Sequence, residues 1–129
     1  MTRIAIMLGT GPDNESAANT VLGFVEAALA ADCAIETVFL NHDGIYWAHG
    51  ARHTATDDFD PVSRLVALAA ANDLELVACS AAAQRRGVMD QSLAAERGEA
   101  VSLREGFTLA GLGHWCEAAA RADRVVQFR

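Results

Sequence analysis

The chain has no lysine: all ten of its basic residues are arginines, set against seventeen acidic residues, for a net charge of −7 over 129 residues. A surface with that balance repels a phosphate backbone, so direct binding to nucleic acid is not expected. Only two prolines occur, and with no repeat or low-complexity tract there is no linker to divide the chain. The three cysteines, Cys33, Cys79 and Cys116, are odd in number and lack CxxC or zinc-finger spacing. That argues against a disulfide framework and fits free thiols in a reducing compartment. No apolar run approaches the roughly 20 residues of a membrane span. The start, Thr2-Arg3 leading into Ile4 to Leu8, is too short and wrongly flanked for a signal peptide, so a cytoplasmic protein is expected.

What is present is a 52% hydrophobic chain long enough to bury one core, read here as one domain over residues 1–129. Residues 3–8 form a continuous apolar run, the pattern of a strand buried on both faces in a helix-covered parallel sheet. Loop residues Gly9 to Asn14 follow, and a helix with apolar three-to-four spacing runs from Glu15 to about Ala30. Gly9-x-Gly11 is no dinucleotide fingerprint, because Asn14 replaces the third glycine and Asp13 and Glu15 repel a pyrophosphate. A second strand spans Ile35–Leu40. Asp60 and Pro61 form a helix start, and that helix runs to Asn72. A third strand over Leu74–Ala78 ends at Cys79, and a short helix follows from Asp90 to Gly98. Glu99–Gly106 reads as an exposed connection that could hold a minor strand or nothing regular. A helix is expected from Thr108, burying Leu109, Leu112, Trp115, Cys116 and Ala119, with Gly111 and Gly113 marking close approach of another backbone. Arg124–Phe128 closes the chain as a strand. The fold class is α/β, a single-domain three-layer sandwich with a mostly parallel sheet of four to five strands covered by helices on both faces.

Two stretches carry candidate chemistry. Residues 41–53 hold three of the four histidines, the only tyrosine and one of two tryptophans. His42, Asp43, His49 and His53 could be drawn as a metal site, but no helix is signalled there and no softer ligand accompanies them, so Tyr46 and Trp47 are expected at an interface or pocket. The second stretch is Cys79 to Gly87. A thiol between a strand's carboxyl end and a helix's amino end meets free N–H groups that favour thiolate. With Ser80 capping a helix that ends at Gly87, Arg86 falls on nearly the same face as Cys79, and its side chain leans back towards the thiolate. Arg85 is turned off that face. Position alone is also compatible with a buried, inert cysteine.

The run Cys79-Ser-Ala-Ala-Ala-Gln-Arg-Arg-Gly87-Val, with Phe39-x-x-His-Asp-Gly44-Ile-Tyr, Gly106 to Gly113 and Asp123 to Phe128, resembles the DsrE/TusD family of sulfur-carrier proteins from Ile4 to Phe128. The resemblance implies a cysteine, mapping onto Cys79, that accepts sulfane sulfur as a persulfide from a donor protein and passes it to an acceptor protein. Ser80 stands where relatives carry an apolar residue. No metal or organic cofactor is implied. The implied assembly is a heterohexamer with two homologous small subunits, or a homo-oligomer if this chain is alone. The implied pathway is tRNA wobble-uridine 2-thiolation or dissimilatory sulfur oxidation. The alternative readings are a non-catalytic assembly module with an inert Cys79, and a small-molecule binder using Tyr46 and Trp47. Because of the acidic balance, the isolated chain is expected to leave tRNA unshifted in a native gel at moderate ionic strength; a salt-sensitive shift would overturn that expectation.

Overall fold

The computed structural model describes residues 1–129. Five parallel strands lie in the order β4-β3-β2-β1-β5: β1 Arg3–Leu8, β2 Ala34–Leu40, β3 Leu76–Cys79, β4 Phe107–Ala110 and β5 Arg124–Phe128. The helices are α1 Glu15–Ala30, α2 Pro61–Asn72, α3 Ser80–Arg85, α4 Gln91–Arg97 and α5 Leu112–Arg121, with a 3-10 segment over His42–Ala48. No helix is long and apolar enough to cross a membrane.

Strand alternation sorts the side chains into two faces. Leu8 pairs with Leu40 and Phe128, and Phe128 meets Phe24 of α1 edge-on at 5.7 Å between ring centroids, so this face carries α1. The opposite face holds Met7, Phe39 and Val77 in register, and Phe39 packs against Trp115 of α5 at 5.9 Å. Cys79, two residues beyond Val77, shares that α5 face. The strands read as near-continuous apolar runs because helices cover both sides, and β2 and β3 are buried almost throughout.

Three expectations fail at the carboxyl-terminal third. Residues 107–110 form strand β4 instead of the first turn of a helix, because pairing with Leu76–Cys79 uses their backbone groups in a ladder. The helix then begins at Leu112 with Gly111 as its cap. Leu112 is 53% exposed and Cys116 is exposed, while Trp115 and Ala119 are half-buried, so the buried stripe of α5 is narrower than the spacing suggested. A Cβ at Gly111 or Gly113 would meet nothing within 4 Å, so no backbone crowds them.

The start of α2 is built as the sequence indicates. Asp60 accepts hydrogen bonds from the N–H groups of Val62 and Ser63 and from the Ser63 hydroxyl at 2.6 Å, and Pro61 opens the helix. Burial pushes the Asp60 carboxyl up, but those bonds and the Arg104 charge outweigh it and hold its pKa below the ordinary 3.8. A carboxylate with a depressed pKa stabilises the fold above its unfolded pKa, and that contribution fades as pH falls through the folded value. Asp60→Ala is therefore expected to lose about 1 kcal/mol at neutral pH. In urea titrations the gap from wild type should shrink below pH 3.8; a gap independent of pH would refute the charged cap.

Candidate active site

Cys79 is the last residue of β3 and the N-cap of α3, with φ −61° and ψ 121°. The capping position expected for Ser80 therefore falls to Cys79; Ser80 is the first helical residue, and no side chain caps α3. The reason lies in the ladder: Cys79 still pairs with Ala110, so the extended backbone continues through it before the helix starts. Cys79 is only 4% exposed. Small residues follow, Ala81 exposed and Ala82 and Ala83 buried.

Register brings a second helix start to the same place. Ala110 lies beside Cys79, and the chain passes through Gly111 directly into α5, which also has no side-chain cap. The first N–H groups of each helix lack intrahelical partners. Two positive dipole ends therefore stand at the carboxyl edge of the sheet around Cys79. One of them was visible in the sequence. The other was hidden because residues 108–110 read as helix, and only their pairing with β3 reveals the turn.

Arg86 follows α3 as its C-cap. Its guanidinium donates to Asp43 Oδ1 from Nε at 3.4 Å and Nη2 at 3.2 Å, and from Nη1 to the Ala82 carbonyl at 3.3 Å. Asp43 sits in the 3-10 segment, so this pair ties that segment to the helix that Cys79 starts. Sequence reasoning named Asp43 only as part of a metal cluster; the two partners stand 43 positions apart, and spacing carried no signal for this bond. Gly44 beside it is required by close approach, since a Cβ there would collide with the Leu8 carbonyl oxygen. The 3-10 segment thus covers the end of β1.

The remaining candidates disperse. Trp47 is fully buried and donates its indole N–H to the Thr10 carbonyl at 2.9 Å, which makes it a core residue and corrects the pocket or interface role expected for it. Tyr46 is 40% exposed and borders an open hollow of about 230 Å³ with Asp13, His49 and Arg52. His49 Nδ1 accepts from the Ala51 N–H. No three His, Cys, Asp or Glu side chains come together as a metal-binding group. A cleft of about 300 Å³ lined by Asp13, Glu15, Arg52 and Phe59 opens between α1 and the start of α2, and no residue from β3 or α3 borders it. Cys33 is partly exposed in the turn before β2.

A model of the DsrE/DsrF-like family matches residues 2–128. The chain belongs to this family. Among its relatives, Sulfurtransferase TusD of Enterobacter sp. is 40% identical over 128 residues, covering 98% of this chain and 99% of the relative. Sulfurtransferase TusD of Serratia proteamaculans is 41% identical over 121 residues, covering 92% and 94%. DsrE of Allochromatium vinosum is 36% identical over 127 residues, covering 98% of each chain. The crystal structure of the ychN protein from E. coli superposes with a TM-score of 0.72 at 18% identity, over 99% of this chain and 100% of that one, and shares its fold.

The different burial of the three thiols sets an order of reactivity. With a bulky maleimide under native conditions, Cys116 is expected to be labelled first, Cys33 next and Cys79 last. Peptide mapping of timed samples checks the order, and early labelling of Cys79 would mean that its cover opens readily.

Proposed function

We propose that this chain is a sulfur-relay sulfurtransferase that carries sulfane sulfur as a persulfide on Cys79. The observation that carries the reading is the position of Cys79 at the end of β3, between two uncapped helix starts, in a chain whose family relatives bear the name sulfurtransferase. The Cys79 thiolate attacks the outer sulfur of a donor persulfide, forming Cys79–S–SH and releasing the donor thiol. An acceptor thiolate then attacks that outer sulfur, and Cys79 leaves as thiolate. The sulfur moves with its oxidation level unchanged, so the relay needs no oxidant, metal or organic cofactor.

In this mechanism the free N–H groups at the head of α3 and α5 stabilise the persulfide anion. Ser80 supplies the first of these N–H groups, and its hydroxyl is the nearest side-chain hydrogen-bonding group in sequence. Arg86, held by Asp43, adds positive charge and fixes the 3-10 segment against α3. Burial of the sulfur limits its loss to stray thiols, and an acceptor segment approaches past Ala81 and the glycine pair Gly111 and Gly113. The donor and acceptor are proteins. The setting is the cytoplasm, in company with homologous small subunits, and the pathway ends either in tRNA wobble-uridine 2-thiolation or in sulfur oxidation.

The 4% exposure of Cys79 favours a second reading, a non-catalytic assembly module with an inert thiol. One experiment separates the two. Incubation with a cysteine desulfurase and cysteine, followed by intact mass measurement, is expected to add one sulfur atom that a thiol reductant removes. Cys79→Ser should abolish the gain, whereas Cys33→Ser and Cys116→Ser should keep it. Arg86→Ala should slow uptake roughly tenfold, the scale of losing the charge-assisted bond to Asp43 that fixes the 3-10 segment against α3. A sulfur that persists in Cys79→Ser and disappears in Cys33→Ser would sink the assignment, and no gain in any variant would favour the module.

A further inference from the structure

We propose that the outer edge of β5 is an interface at which a second copy of this chain adds its own β5, antiparallel and centred on Val126, so that two five-stranded sheets become one. This contact is independent of the sulfur chemistry.

The edge is open. β5 pairs only with β1, at the end of the sheet opposite β4. The Phe128 carbonyl accepts from Gly9 N–H at 2.8 Å, which fixes residues 126 and 128 as the ones turned towards β1. Alternation then turns the N–H and C=O groups of Val125 and Gln127 outward. Both side chains are exposed on the α5 face, Val125 at 55%, so the α5 layer does not reach over this edge, while on the other face α1 meets Phe128 through Phe24. Such a row of free backbone groups is a template for another strand.

The sequence of the edge selects its occupant. With a two-fold axis at Val126, Val125 of one copy stands opposite Gln127 of the other, and the outward groups of both residues pair in four ladder hydrogen bonds. On the same face the next residues in register are Asp123 and Arg129, an acid opposite a base, and symmetry supplies the pair twice. Asp123 lies just before the strand and its N–H donates to the Arg3 carbonyl at 2.7 Å, so this pair meets through side chains alone. Asp123 Oδ2 accepts from the Arg3 N–H at 2.8 Å, which leaves Oδ1 for a guanidinium. A shift of two residues in either direction separates these charges, and a shift of one opposes outward groups to inward ones. The other edge strand, β4, has the uncharged sequence Phe-Thr-Leu-Ala and no comparable self-complementarity. In the joined sheet the two Cys79 residues stand seven strand spacings apart, about 34 Å measured across the strands. Because the copies run antiparallel, the cysteines face opposite ends, and each remains approachable from its own side.

The test starts with sedimentation equilibrium of the purified chain, where a concentration-dependent self-association is expected. Arg129→Asp places like charges opposite one another and should raise the dissociation constant about tenfold, and Asp123→Arg combined with Arg129→Asp should recover most of the loss. In a background with all three native cysteines replaced by serine, Val126→Cys puts a thiol at a non-hydrogen-bonded pair with Cα atoms about 4.5 Å apart, within disulfide range. Oxidised glutathione should convert that variant to a covalent dimer on a non-reducing gel. A larger assembly in which the introduced thiol still bridges two chains contains the proposed contact and supports it. A chain that stays monomeric at all concentrations overturns the proposal, as does an assembly indifferent to Arg129→Asp in which the introduced thiol forms no bridge.

Discussion

The pairing of β3 between β2 and β4 is the constraint on which the candidate site depends. It holds Cys79 extended, so that the thiol falls on the α5 face and the helix cannot begin before Ser80. The same ladder brings Ala110 beside Cys79, and with it the start of α5. A slip of one residue in this register would turn the thiol to the α1 face.

Around this point the chain uses backbone more than side chains. Neither α3 nor α5 has a side-chain cap, in contrast to α1, α2 and α4, which use Asn14, Asp60 and Asp90. Caps serve where a helix start needs only stability. At the two starts beside Cys79 the N–H groups are left free of side-chain acceptors, and the residues that follow Cys79 in α3 are small. The Arg86–Asp43 pair closes the arrangement by joining α3 to the 3-10 segment, which Gly44 allows to lie against the end of β1.

Burial and transfer pull in opposite directions at such a site. Cys79, 4% exposed, is shielded from adventitious reaction, whereas the proposed relay requires its sulfur to be presented to a donor and to an acceptor. Near Cys79, Gly111 and Gly113 at the start of α5 have nothing packed against the place a side chain would occupy. The core beneath them, with Phe39, Val77 and Leu40 fully or nearly fully buried, has no such freedom.

Four of the five strands, the order in which they alternate with helices, the capped start of α2 at Asp60-Pro61 and the junction at which Cys79 sits were all legible along the chain. Each is a local pattern, an apolar run or a capping signature, that needs no knowledge of distant residues. The run from Cys79 to Gly87 also carried the resemblance. Other features came only with the packed molecule. Residues 107–110 became a strand because β3 offered a partner, which overrode their weak local preference. Trp47 went to the core because the Thr10 carbonyl, far away in the chain, accepted its indole N–H. Asp43 met Arg86, and Cys79 met the head of α5, through register that no spacing along one segment encodes. Short-range pattern sets which element a residue joins; the packing of elements sets what it faces.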